Sequence, residues 1–203
     1  RVIDGSPATL RKQCEASLAR LRTDHLDLYY LHRLDRQVPI EESVGALGRL
    51  MEEGKIGGVG LSEISALTLR RAAAEYPIAA VQSEYSLWTR NPEIALIDAC
   101  REVGAAMVAF SPLGRGFLTG AIQDPSRLAE GDMRRNMPRF SAENYPHNVK
   151  LFRSLAALAQ ALSVTTGQLA LAWLKAKGDD IIPIPGTRSP DHMRENLAAE
   201  TLR

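Results

Sequence analysis

Between residues 26 and 110 the chain alternates short apolar runs with stretches of helical period, and no other feature of the sequence constrains its fold as much. The runs DLYYLH, IGGVGLS, AAVQSEY and AAMVAFS begin near residues 26, 57, 79 and 106. They are apolar on both faces and joined by short links, which is the pattern of parallel strands covered on each side by helices. The intervening helices carry their own start and stop signals. Ser6 and Pro7 have the form of an N-cap and a first helical residue, and the helix then runs to Leu21 with Leu10, Cys14, Leu18 and Leu21 on one face. A second helix starts at Ile40, carries Val44, Leu47, Leu50 and Met51 as its stripe, and closes at Gly54. Ser65 caps a third over 66–75, and Asn91-Pro92 opens a fourth that carries Ile94, Ile97 and Cys100 and ends at Gly104.

After Pro112 the rhythm stops. Residues 113–145 are rich in Gly, Pro, Arg and Asn and show no sustained period, which makes them a long strand-to-helix excursion, and loops of that length are usually functional or mobile. Two helices (VKLFRSLAALAQALS and TTGQLALAWLKAKG), a fifth strand (DIIPIPG) and a helix opened by Ser189-Pro190 complete the chain. Five strand-helix units fit an open doubly wound sheet or part of an eightfold barrel. The open sheet wants a Gly-rich turn after its first strand, where this chain has HRLDRQ. The (β/α)8 barrel of the α/β class therefore fits better, although eight units take about 250 residues. The expectation is a single domain over 1–203 that supplies about five units of such a barrel.

Charge excludes some partners. With 25 basic against 24 acidic residues and a net charge of +1, the chain has no electrostatic footprint for nucleic acid or for an anionic membrane. No run reaches the roughly 18 apolar residues of a membrane span, and the first residues lack the apolar core of a secretory signal. Cys14 and Cys100 both fall in helical segments, so two buried reduced thiols are expected, which points to the cytoplasm. Oligomeric state is left open.

In a barrel the carboxyl ends of the strands converge on one face and carry the chemistry. Those ends hold His32; Ser62 and Glu63; Gln82 and Glu84; Phe110 and Ser111; and Gly186, Thr187 and Arg188. His32 by its composition alone is as compatible with a structural role as with a catalytic one. The SPLGRGFLTG segment brings glycines where a backbone could approach phosphate, but its GxGxxxG spacing is only superficially that of a dinucleotide fingerprint. In PGTRSPDHMRENL a capped helix start lies beside Arg188, a planar donor fork suited to phosphate. A metal-dependent hydrolase using His32, Glu63 and Glu84 is the weaker alternative, because such sites favour more imidazoles and closely spaced ligand pairs.

Five segments in order, DLYYLHRLD, VGLSEIS, VQSEYSLW, AFSPLGRGFLTG and IPIPGTRSPDHMRENLAA, make the chain similar to the aldo-keto reductases. Within that family it most resembles the pyridoxal-reductase-like and potassium-channel β-subunit-like branches. The resemblance implies a (β/α)8 barrel that binds NADP(H) without a Rossmann domain and reduces a small aldehyde or ketone. It implies that Ser62 and Gln82 hold the nicotinamide carboxamide, that Phe110 stacks on the ring where the family more often has Tyr or Trp, and that Ser111, Leu113, Arg115 and Gly116 follow the pyrophosphate. Gly186, Arg188, His192, Glu195 and Asn196 would form the adenosine-phosphate site, the last two contacting adenine. Glu63 departs from the Asn that many members carry after the carboxamide serine.

The resemblance also makes His32 the residue that orients the substrate carbonyl. The family's acid Tyr and the Lys and Asp that tune it belong to units placed before the first helix of this chain. Tyr29, Tyr30, Tyr85 and Tyr145 are not expected to replace it. The resulting expectation is that the 203 residues alone are inactive, the units supplied being the C-terminal ones. A non-catalytic NADP(H)-binding partner or sensor subunit is the competing reading.

Overall fold

The computed structural model describes residues 3–202. They pack as two compact units. The first takes the chain up to Glu84, then Arg90–Phe110 and Asp180–Ile182; the second takes Tyr85–Thr89, Ser111–Asp179 and the chain from Pro183 onward.

The first unit is built on the strands β1 (Tyr29–Leu31), β2 (Val59–Ser62), β3 (Ala80–Glu84) and β4 (Ala106–Phe110), with β5 (Ile181–Ile184) as the next neighbour in the order β1-β2-β3-β4-β5. The first four are paired in parallel, with Leu31 opposite Leu61, Ser62 opposite Gln82 and Glu84 opposite Phe110. Every residue of β2 is buried, as the doubly apolar runs predict for a strand covered on both faces. The first strand is shorter than DLYYLH suggested, and Leu26 pairs with Ile56 only as an isolated bridge.

Helices α1 (Pro7–Leu21), α2 (Ile40–Glu52), α3 (Ala66–Glu75) and α4 (Leu96–Val103) alternate with these strands. The cap chemistry holds where it was local: the hydroxyls of Ser6 and Ser65 accept from the amides of Thr9 and Thr68. Cys14 and Cys100 are free and buried in α1 and α4. Two expected core positions are corrected. Leu21 is 65% exposed, because α1 ends there on the left-handed Arg22 and the apolar stripe runs out. Ile94 is 82% exposed, because Pro92 sits in a separate 3₁₀ turn, Asn91–Ile94, and the extended φ of Ala95 restarts the helical phase at Leu96.

Arginine-carboxylate pairs tie successive helices on their outer faces. Arg71 of α3 bridges Glu41 of α2, Arg70 of α3 bridges Glu102 of α4, and Arg101 bridges Asp180, each through two donors. Arg11 and Lys55 clamp Glu53 in the same way. Such exposed pairs each contribute little, yet their titration leaves a signature. The Arg11 guanidinium, then Lys55, holds the Glu53 carboxyl down at about 2 against an ordinary 4.5. A depressed folded-state value means that this stabilisation is present above pH 4.5 and is lost as pH falls toward 2. Thermal unfolding of Glu53→Gln should accordingly fall slightly below that of the wild type at pH 7 and coincide with it near pH 2.

The second unit contains α5 (Tyr145–Ala161), α6 (Thr166–Lys175), opened by a Thr165/Gln168 capping box, and α7 (Pro190–Ala198), capped by Ser189. Residues 113–145 form a chain of 3₁₀ turns laid over an aromatic cluster of Phe117, Phe140 and Tyr145, with Trp88 and Phe152 packed against it. Trp88 and Phe117 lie 3.8 Å apart between ring centroids, Arg139 sits over Trp88 at 5.2 Å, and the Tyr145 hydroxyl donates to the carbonyl of Ile122. These side chains follow no helical or strand period, which is why the sequence pattern missed them.

Candidate functional site

In the first unit the parallel register brings four of the expected residues to the same end of adjacent strands. His32 follows β1 directly and is exposed, Ser62 ends β2, Gln82 lies opposite it on β3, and Phe110 ends β4. Ser62 is only 4% exposed. The other buried serines spend their hydroxyls internally, Ser43 on the carbonyl of Gly5 and Ser86 on the amides of Trp88 and Thr89. The Ser62 hydroxyl bonds to none of the described residues. A hydroxyl not committed within the protein, on a residue that is nearly buried and opposite a carboxamide, has the chemistry that a polar ligand group would need.

Glu63 is a left-handed residue, φ +54°. Its amide donates to the carbonyl of Gln82, and its carboxylate accepts from the Ser83 hydroxyl and the Glu84 amide. Arg33 faces the same carboxylate at 3.6 Å. Among the described residues no three His, Cys, Asp or Glu side chains are grouped to hold a metal ion, so His32, Glu63 and Glu84 lack the geometry that the hydrolase alternative requires. Burial pushes the Tyr30 hydroxyl upward. Burial also raises Tyr29 and Tyr145, and Tyr85 is wholly buried.

In the second unit Ser111, Gly114, Arg115 and Gly116 all take positive φ. A Cβ at Gly114 would meet Trp88 and Leu118 at 3.2 Å, so close packing as well as backbone shape demands glycine. The Arg115 carbonyl accepts from Arg134, whose guanidinium is gripped by Asp132. That grip lowers the Asp132 carboxyl to about 2. Neither Arg134 nor Asp132 was singled out in the sequence, because they lie nineteen and seventeen residues from Arg115 with no pattern between them.

At the start of α7 the Ser189 hydroxyl accepts from the His192 amide, and Arg188 is exposed and enters no ion pair with the described residues. A Cβ at Gly186 would meet nothing within 4 Å. Gly186, Thr187 and Asn196 line a cavity of about 400 Å³ with Leu171, Met193 and Leu197. Glu195 is held from α6, its carboxylate by the Thr165 hydroxyl at 2.6 Å and its carbonyl by Gln168 at 3.3 Å. An open glycine, an arginine outside any ion pair of the described residues and a helix start are the kinds of group that could hold a phosphorylated ligand.

Residues 2–203 match the model of the aldo/keto reductase family. The chain belongs to that family. It is 48% identical over 200 residues to the aldo-keto reductase yakc [NADP(+)] of Schizosaccharomyces pombe, covering 97% of this chain and 59% of the relative. Among solved structures it is similar to the glycerol dehydrogenase AKR11B4 of Gluconobacter oxydans, with a TM-score of 0.86 and 28% identity, covering 97% of this chain and 64% of that one. It is also similar to the thermostable aldo-keto reductase Tm1743, with a TM-score of 0.77 and 29% identity, covering 98% and 62%. The chain thus spans about three fifths of the length of these family members. The family's α/β architecture, a parallel sheet surrounded by helices, is the one described above. No single helix of the described residues is long and apolar enough to cross a membrane.

Proposed function

We propose that this sequence forms the NADP(H)-binding and carbonyl-orienting part of an aldo-keto reductase that reduces small aldehydes or ketones to alcohols. The observation that carries the reading is the nearly buried Ser62, its hydroxyl uncommitted, opposite Gln82 at the strand ends that also hold His32 and Phe110. The relative yakc bears NADP(+) in its name, which accords with the cofactor. In this reading the chain is a single barrel domain portion, the five C-terminal units of a (β/α)8 barrel of the pyridoxal-reductase-like and channel-subunit-like type. Ile182 and Ile184, uncovered on β5 at the edge of the sheet, suit a strand that further units would flank. Two free buried thiols accord with a cytoplasmic setting.

The residues of each unit suit one half of the cofactor. Ser62 and Gln82 hold the nicotinamide carboxamide, and Phe110 supports the ring. Ser111, Leu113, Arg115 and Gly116 offer backbone and side-chain donors along the pyrophosphate. Gly186, Arg188 and His192 receive the adenosine phosphates, and Glu195 and Asn196 the adenine. When bound, NADPH supplies the hydride. His32 donates a hydrogen bond to the carbonyl oxygen and so fixes which atom faces the ring. A general acid must protonate that oxygen, and we assign the step to none of Tyr29, Tyr30, Tyr85 or Tyr145. The second reading is a non-catalytic NADP(H)-binding subunit.

Replacing His32 with Ala separates the two. If His32 orients substrate, kcat/KM for aldehyde reduction falls roughly a hundredfold while the Kd for NADPH stays as it was. Unchanged turnover in His32→Ala would remove the catalytic assignment.

A further inference from the structure

The capping box at the start of α6 does more than end a helix. The Thr165 hydroxyl accepts from the backbone amide of Gln168 at 3.1 Å, and the Gln168 side-chain oxygen accepts from the backbone amide of Thr165 at 3.0 Å. The box thus uses an acceptor from each side chain and no donor, which leaves the hydroxyl proton of Thr165 and the NH2 of Gln168 to be spent elsewhere. Both go to one residue of α7. The hydroxyl donates to a carboxylate oxygen of Glu195 at 2.6 Å, and the Gln168 NH2 donates to the Glu195 carbonyl at 3.3 Å. Glu195 is held by side chain and backbone from the same pair.

Those bonds account for one oxygen of the carboxylate. The other takes no hydrogen bond or ion pair from the described residues, and so can accept an N–H from a ligand. Gly167, buried in the first turn of α6, sets what lies beside the bonded oxygen. A Cβ there would have that oxygen at 3.5 Å and the side chains of Leu113 and Thr119 at 3.8 Å as neighbours. Leu113 belongs to the segment read as following the pyrophosphate and Glu195 to the one read as meeting adenine, and the two converge over this glycine. The start of a helix also favours a carboxylate beside it.

We propose that Thr165 is a positioning residue that sets the base specificity of the cofactor site. By holding one oxygen of Glu195 it presents the other to the 6-amino group of adenine, whose N–H that oxygen accepts, and turns it against the 6-oxo group of hypoxanthine, which has no proton to give there. The inference rests on the reading of Glu195 as an adenine contact.

Titrations of NADPH and of its hypoxanthine counterpart test it. The wild type should bind NADPH roughly tenfold more tightly, the worth of one hydrogen bond to a charged group. Thr165→Ala removes the donor and should lower that ratio roughly threefold, while Thr165→Ser keeps the hydroxyl and should restore it. Thr165→Asp separates positioning from capping. It still accepts the Gln168 amide, but it has no proton to give and sets a second carboxylate against Glu195, so it should lose discrimination at least as fully as Thr165→Ala with the helix cap intact. It also decides the matter should Thr165→Ala fail to fold. A wild-type ratio in Thr165→Ala or Thr165→Asp, even with both ligands weakened, or a Thr165→Ser variant as poor as Thr165→Ala would overturn the proposal. Wild-type protein that binds the two cofactors equally would overturn the adenine assignment of Glu195 and this proposal with it, whereas binding of neither would overturn the cofactor reading as a whole.

Discussion

Phe117→Ala is expected to cost about 3–5 kcal/mol, the range for truncating a buried aromatic side chain. The ring is 5% exposed and touches Trp88, Tyr145 and Phe152 within the second unit. Removing it takes away the common partner of three aromatic groups, and the surrounding turns have no regular backbone ladder with which to close the gap. In a chain of this size the loss corresponds to a fall in Tm of roughly 10 °C, measurable by circular dichroism or calorimetry. The same segment carries Arg115 and Gly116, so the variant should also bind NADPH more weakly at temperatures where it is still folded. A melting temperature within a degree or two of the wild type would mean that the cluster is not the core of this unit.

Arg188→Ala is expected to weaken NADPH roughly 10- to 100-fold while changing NADH little. An exposed guanidinium with no ion pair among the described residues can give two charge-assisted hydrogen bonds to a 2′-phosphate. NADH has no such phosphate, so the loss should fall on one cofactor and not on the other. Arg188→Lys keeps the charge without the planar fork and should fall between the two. Because the contribution is electrostatic and exposed, raising the salt concentration should narrow the gap between wild type and variant. Equal weakening of NADPH and NADH would place the arginine somewhere other than against the 2′-phosphate.

The features legible in the sequence are those whose chemistry is local. Ser6, Ser65 and Ser189 each cap the helix that follows, and each was readable from itself and the next three residues. The strand ends were legible for a related reason, since a parallel sheet of doubly apolar runs leaves its polar residues where the runs stop; Ser62, Gln82 and Phe110 follow from that alone. What stayed hidden depends on distant partners. The carboxylate of Glu63 is decided by Ser83 and Glu84, twenty and twenty-one residues on. Arg134 reaches back nineteen residues to Arg115. Ile94 looked like a core residue because its spacing from Ile97 is helical, and one extended residue, Ala95, was enough to take it out. Gly60 carries the clearest unread signal: a glycine inside an apolar strand, beside a tyrosine on the next strand, marks a ring crossing the sheet.

Titrating the protein with NADPH and with NADH tests the central claim most directly. The account predicts saturable NADPH binding, tighter than that of NADH. Failure to bind NADPH, or binding no tighter than NADH, would contradict it.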